Sequence, residues 1–107
     1  MAEQNNWPGV SGKNYMYFIY PMDTSFKDEP GNYIFAKKTS LLGGWTPVYI
    51  GETDDLAKRL PKHDKLPCVK RNGGTHIHVH FTSGGTQVRR AEEADLLANF
   101  DPPCNKE

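Results

Sequence analysis

Three strand-like runs follow one another in the first half of the chain, and the segments between them are short. The runs are YMYFIY at 15–20, NYIFAKK at 32–38 and VYIGE at 48–52, and each is rich in aromatic or β-branched residues. A parallel crossover between neighbouring strands takes about a dozen residues or more, usually with a helix. The connecting segments carry Pro, Gly and polar residues instead. The sequence therefore predicts a largely antiparallel sheet.

A fourth strand is predicted at 75–81, where THIHVHF alternates strictly between apolar and polar residues. Alternation of this kind is typical of a strand with one buried face. The core-facing residues would be Ile77, Val79 and Phe81, and the outward residues would be His76, His78 and His80. Since next-but-one residues on a strand lie about 7 Å apart, two of these histidines could hold zinc or nickel. A solvated or loop-covered face is the alternative.

Two helices complete the predicted fold. The first follows Gly51 and covers about 54–60, with Thr53 or Asp54 as its N-cap and Pro61 at its end. The second covers about 86–99. We expect an α+β fold in which helices flank a small, mostly antiparallel sheet of three to four strands. Residues 1–13 are expected to form a loose N-terminal arm, and residues 14–107 a single domain.

Length and charge limit the classes of function. The chain has 107 residues and a formal net charge of zero. Proteins that bind nucleic acid are usually basic, so zero net charge argues mildly against a nucleic-acid partner. No apolar run approaches the roughly 18 residues that cross a membrane, and the first residues do not resemble a secretory signal. Cys68 and Cys104 match no zinc spacing and are too few for a disulfide framework. We therefore expect a reduced, cytoplasmic protein with no membrane partner.

Positive charge is concentrated between residues 58 and 71, where six basic residues accompany one acid, Asp64. A lysine-rich solvated loop explains such a run, and so does a surface that contacts phosphates. The sequence alone leaves both interpretations open.

Two charged residues fall on the apolar stripes of the predicted helices. Arg59 shares a stripe with Leu56 and Leu60, and Glu93 is in register with the apolar residues that end the second helix. Burial of an unpaired charge costs several kcal/mol. Glu93 could pair with Arg89 on the helix surface, or with Arg59 across the structure. The third possibility is that both residues face a cleft that is open to solvent.

Several spacings taken together resemble the GIY-YIG nuclease superfamily. The relevant segments are GNYIF at 31–35, VYIG at 48–51, an arginine ten residues after Tyr49, and EADLL followed by PPCN at 102–105. The resemblance covers about residues 31–105. It implies an antiparallel sheet flanked by helices, with the functional residues on one concave face.

The resemblance also implies a site and an activity. Its catalytic residues would be Tyr33, Tyr49, Arg59, His63 and Glu93, with Glu93 as the metal-binding carboxylate. Gly51, Lys58, Lys62 and Asn105 would contact the substrate. The implied reaction is hydrolysis of phosphodiester bonds in duplex or branched DNA with one divalent ion, Mg²⁺ or Mn²⁺. A protein partner could supply sequence specificity.

The general base stays open among three residues. A tyrosine is protonated at neutral pH unless a cation lowers its pKa, whereas histidine titrates near pH 6.5. On chemical grounds His63 is the easier base, and the resemblance favours Tyr33 or Tyr49. Plain packing between strands is the alternative role for the two tyrosines.

Three residues depart from the pattern of the family. Asn32 stands where an apolar residue is usual, Glu52 adds a carboxylate beside the site, and Pro61 interrupts the helix between Arg59 and His63. These departures favour an alternative function, in which a catalytically weak or inactive scaffold of the same type binds nucleic acid or protein.

Overall fold

A computed structural model describes residues 3–39 and 43–106 of the chain. The strands are β1 (Glu3–Pro8), β2 (Asn14–Pro21), β3 (Gly31–Lys38), β4 (Trp45–Thr53) and β5 (His76–His80). The helices are α1 (Leu56–Arg59), α2 (Leu66–Arg71) and α3 (Thr86–Leu97), followed by a 3₁₀ turn at Pro103–Asn105.

The five strands form one antiparallel sheet in the order β1-β2-β5-β3-β4. The α+β class and the antiparallel sheet are therefore confirmed, but the sheet has more strands than the three to four predicted. The prediction of a loose arm is wrong for Glu3–Pro8, which pairs with β2 along its whole length. Residues 1 and 2 of that predicted arm lie outside the described residues.

Both faces of the sheet are covered. On one face Tyr33, Phe35 and Val48 pack with α1 and α2, and on the other Ile34 and Ile50 pack with α3 and the N-terminal strands. Successive strand residues point to opposite faces, so β3 is buried throughout most of its length.

Of the three histidines of β5, His76 and His80 are partly exposed, but His78 does not face solvent as the alternation predicted. His78 is fully buried, and its Nδ1 accepts a hydrogen bond from Trp7 Nε1 at 3.0 Å. Phe81, predicted to face the core, is 37% exposed. The pattern identified the strand correctly but could not show that Trp7, far away in the chain, covers its polar face.

The helices differ from the prediction at their ends. Helix α1 begins at Leu56, and its N-cap is Asp55, whose side chain accepts a hydrogen bond from the backbone N–H of Lys58. Helix α2 lies inside the segment that was predicted to be a basic loop. Across residues 3–39 and 43–106, no helix combines the length and apolar character needed to cross a bilayer.

A disulfide bond joins Cys68 on α2 to Cys104 in the 3₁₀ turn, with 5.8 Å between their Cα atoms. The expectation that both cysteines are reduced is therefore wrong. The side-chain amide of Asn72 donates to the Cys68 carbonyl at 2.9 Å and lies near both sulfur atoms. This bond fixes the C-terminal segment against α2.

Candidate active site

The two candidate tyrosines lie side by side on adjacent strands. Tyr33 pairs in register with Gly51, and Phe35 pairs with Tyr49, so that both phenols point to the same face of the sheet. Their rings stack with centroids 6.1 Å apart. A Cβ atom at Gly51 would lie 2.7 Å from the Tyr33 hydroxyl and 2.8 Å from the Tyr49 ring. Gly51 is therefore required because the Tyr33 ring occupies the space above it.

His63 completes this aromatic group from the segment between α1 and α2. It is 3% exposed, and its ring contacts Tyr33, Phe35 and Tyr49 with centroids 4.8–5.5 Å away. Burial, with the nearby charge of Arg59, lowers the pKa of His63 to about 4. The imidazole is therefore neutral at pH 7.

The hydrogen bonds of His63 determine which ring nitrogen carries the proton. The backbone N–H of Lys65 donates to Nδ1 at 3.1 Å, so the proton of the neutral ring lies on Nε2. Nε2 then donates to the hydroxyl oxygen of Tyr33 across 2.7 Å. The approach of Asp64 to Nδ1, at 3.6 Å, is not an ion pair because the ring is uncharged.

Arg59, at the end of α1, acts electrostatically on both phenols. Burial raises the pKa of Tyr33 and of Tyr49, and the guanidinium of Arg59 opposes that rise. The outer side of Arg59 forms an ion pair with Asp64 at 3.0 Å, and its side chain remains 38% exposed. Arg59 is therefore partly exposed and paired with an exposed carboxylate.

Glu93 lies on α3, and its charge raises the pKa of both Tyr33 and Tyr49. Burial raises the pKa of Glu93, and the like charge of Glu52 adds to this. Neither alternative ion pair of Glu93, with Arg59 or with Arg89, is found among the described residues. A half-buried carboxylate of this kind is suited to a bound cation.

The buried stripe of α3 is displaced by one residue from the prediction. Its buried members are Arg89, Glu92 and Leu96, whereas Glu93 lies at the margin of that stripe. At this margin the side chain of Glu93 is only partly buried and keeps some contact with water.

Glu52 and Asn32 both have partners, although the sequence marked them as departures. Arg89 Nε lies 3.3 Å from one oxygen of Glu52, and Arg90 Nε lies 3.9 Å from the other. Asn32 is fully buried; it donates to the carbonyl of Arg89 and accepts from the hydroxyl of Thr82. Both residues therefore hold α3 in position beside the sheet.

The remaining predicted site residues have different surroundings. Lys58 and Lys62 are exposed, and with Ala57 and Pro61 they line a shallow cavity of about 350 Å³. Asn105 bonds through its side-chain amide to both the N–H and the C=O of Ile50, at 2.9 and 2.8 Å. The side-chain amide of Asn105 thus satisfies the backbone hydrogen-bonding groups of Ile50 on β4, next to Tyr49. Pro61 lies after α1, so a shared helical face is not needed to bring His63 to Arg59.

Sequence reasoning did not assign a role to Asp64 or Phe35. Asp64 holds the solvent side of Arg59, and Phe35 forms part of the aromatic pocket around His63. The only sequence signal for Asp64 was its position as the single acid in a basic run.

The three histidines of β5 do not converge as a metal site. His78 bonds to Trp7, His80 to Glu92 and His76 to Thr75. Within the described ranges, no group of three or more His, Cys, Asp or Glu side chains is placed to hold a metal ion.

Comparison of the chain with known family models, with curated protein sequences and with solved structures returns no match. The geometry of the site therefore carries the functional argument.

Proposed function

We propose that the protein is a metal-dependent endonuclease that hydrolyses DNA phosphodiester bonds at this site, as the resemblance to the GIY-YIG superfamily implies. One observation carries the proposal. Two phenols and an imidazole from β3, β4 and the segment after α1 pack together, and the charges of Arg59 and Glu93 both act on the two phenols. Packing alone does not require an arginine and a carboxylate whose charges reach the same pair of tyrosines, because each desolvated charge costs free energy.

Arg59 is the proposed phosphate-binding residue. Its planar guanidinium can donate two parallel hydrogen bonds to phosphate oxygens. In the absence of substrate Asp64 occupies its outer side, and this exposed ion pair contributes little free energy. An incoming phosphate displaces it at low cost. The exposed Lys58 and Lys62 extend the positive surface along the DNA backbone.

Glu93 is the proposed ligand of one divalent ion, Mg²⁺ or Mn²⁺. Mg²⁺ is commonly held by one or two carboxylates, with water and substrate phosphate as the other ligands. Burial and the like charge of Glu52 raise the pKa of Glu93, and Arg90 only partly opposes this rise, so a bound cation would stabilise the carboxylate. When bound, the ion would stabilise negative charge on the reacting phosphate.

A tyrosine is the proposed general base, and His63 positions it. Both nitrogens of His63 are engaged, Nδ1 with Lys65 and Nε2 with Tyr33, so this ring has no free acceptor for a water proton. Nε2–H donates to the Tyr33 oxygen and the charge of Arg59 favours its phenolate, but burial raises the pKa of Tyr33 overall, so the base form would need the added charge of the bound ion. Tyr49, which is less buried and adjacent to Arg59, is the second candidate.

Nicking of supercoiled plasmid, with and without Mg²⁺, tests the proposal. Arg59→Ala and Glu93→Gln should each reduce metal-dependent nicking by about 10²–10³-fold, as does the loss of one transition-state donor. Lys27→Ala and Glu3→Gln are controls of the same charge type at exposed positions away from the site. Nicking that survives in both site variants would remove the assignment of these residues.

The same assay separates the alternative function. Metal-independent binding of DNA or of a protein without cleavage would support the non-catalytic scaffold, which zero net charge favours. The cytoplasmic location stays a prediction, and the disulfide bond counts against it, because disulfides are rare in reducing compartments.

A further inference from the structure

A second cavity lies on the other flank of α3. It has a volume of about 400 Å³, within the range of small-molecule pockets. Its lining comes from the start of β2, the end of β5 and the first turns of α3. Val88, Ala91 and Glu92 line it, whereas Arg89, Arg90 and Glu93 follow the opposite flank toward the candidate active site. The two sites are therefore separate.

A buried carboxylate and an imidazole form the floor of this cavity. Both oxygens of Glu92 lie 2.9 Å from His80 Nδ1, and Oε2 also accepts the hydroxyl of Tyr17 at 2.6 Å. The side chain of Glu92 is 3% exposed, whereas that of His80 is 33% exposed. The carboxylate holds Nδ1, and Nε2 of His80 has no hydrogen-bond partner among residues 3–39 and 43–106. The protein thus holds one oriented ring nitrogen for a ligand.

The walls and rim supply two further kinds of contact. Met16 on β2 and Val88 on α3 are exposed apolar side chains that line the cavity. Lys13 lies on the rim, with its ammonium 5.4 Å from the Tyr15 ring. The Tyr15 hydroxyl donates to Asp95, whose other oxygen is occupied by Ser11. The carboxylate of Asp95 therefore already accepts hydrogen bonds from Tyr15 and Ser11.

We propose that this cavity binds a nucleoside monophosphate. Its flat ring would pack against Met16 and Val88, its phosphate would meet Lys13, and a polar group would hydrogen-bond to His80 Nε2. Two exposed apolar side chains, a single ammonium and an oriented ring nitrogen together match an aromatic anion better than a sugar or a peptide. The proposal does not depend on the nuclease activity, since the two sites occupy different flanks of α3.

Titration of the intact protein with deoxyadenosine monophosphate, followed by NMR signals of the His80 ring, tests the proposal. His80→Gln assigns those signals. We expect a saturable shift with a dissociation constant below about 1 mM. Deoxyadenosine alone and inorganic phosphate alone should each bind at least about tenfold more weakly, a difference of about 1.4 kcal/mol.

Two valines provide a matched pair of variants. Val88→Glu places a carboxylate in the cavity wall and should weaken binding at least about tenfold, whereas Val10→Glu makes the same change at a valine outside the cavity. Both positions are exposed, so both variants should keep the unfolding midpoint of the native protein. Arg59→Ala should bind the nucleotide normally.

Three results would overturn the proposal. The first is the absence of a saturable His80 shift in the native protein. The second is equal weakening by Val88→Glu and Val10→Glu. The third is loss of binding in Arg59→Ala, which would place the nucleotide at the candidate active site.

Discussion

Removal of one hydroxyl group, in Tyr33→Phe, tests the internal logic of the candidate site. The ring and its packing over Gly51 remain, but His63 Nε2–H loses the oxygen that accepts its hydrogen bond. His63 is 3% exposed, so water does not replace that partner. A buried donor left unpaired costs about 1–3 kcal/mol. At about 4–8 °C per kcal/mol for a domain of this size, the unfolding midpoint should fall by roughly 5–20 °C.

Tyr49→Phe is the matched control. Its hydroxyl lies near Arg59, which is partly exposed and can be hydrated again, so the loss of stability should stay below about 1 kcal/mol. Metal-dependent nicking should fall by about 10²–10⁴-fold in the variant that lacks the general base. The two variants therefore separate a structural phenol from a catalytic one.

Thermal unfolding by circular dichroism measures the first effect, and ¹⁵N chemical shifts of His63 report the position of its ring proton. If Tyr33→Phe is as stable as Tyr49→Phe, or if the ring proton lies on Nδ1, the assignment of His63 as a donor to Tyr33 is wrong.

Three further predictions concern stability and binding. The pKa values of His63 and His78 are lowered to about 4, so between pH 6.5 and 4 the unfolded chain binds more protons and stability falls as pH falls. Urea unfolding should show a decrease of up to about 3 kcal/mol per histidine, and no change across this range would contradict their neutral state. Reduction of the Cys68–Cys104 bond, which closes a 36-residue separation, should cost about 4 kcal/mol of stability. A variant with alanine at both positions should match the reduced protein and be insensitive to dithiothreitol. Asp64→Asn frees the candidate phosphate-binding arginine and should tighten DNA binding a few-fold in low salt, whereas weaker binding would show that the ion pair positions that arginine.

The sequence predicted those parts of the site that depend on local spacing. Arg59 follows Tyr49 by ten residues, and the strand–glycine–helix order around Gly51 brings them together within one unit. Glu93 as a site residue stays a prediction, and on α3 its neighbour Glu92 occupies the buried position that the periodicity assigned to Glu93. A one-residue error of this kind arises because periodicity defines a helical face only to within about a third of a turn.

Other features left no clear signal in the chain. Strand β1 contains EQNNWP, a polar segment that becomes a strand because β2 offers it a complete antiparallel edge. Helix α2 is short and carries Pro67 near its start, so it resembled a loop. Its position depends on packing of Val69 in the core and on the disulfide bond of Cys68.

By itself, the sequence determined strands β2 to β5 and the antiparallel class of the sheet, and it marked Arg59 and Glu93 as charged residues in register with apolar helix positions. Alternation and spacing express the backbone and burial preferences of neighbouring residues, so such information is local. Only the tertiary structure decided that Trp7 covers His78, that Asp64 holds Arg59, and that His63 donates to Tyr33. These contacts depend on how distant segments pack, because the partner of a buried polar group is whichever group the fold brings within hydrogen-bonding distance.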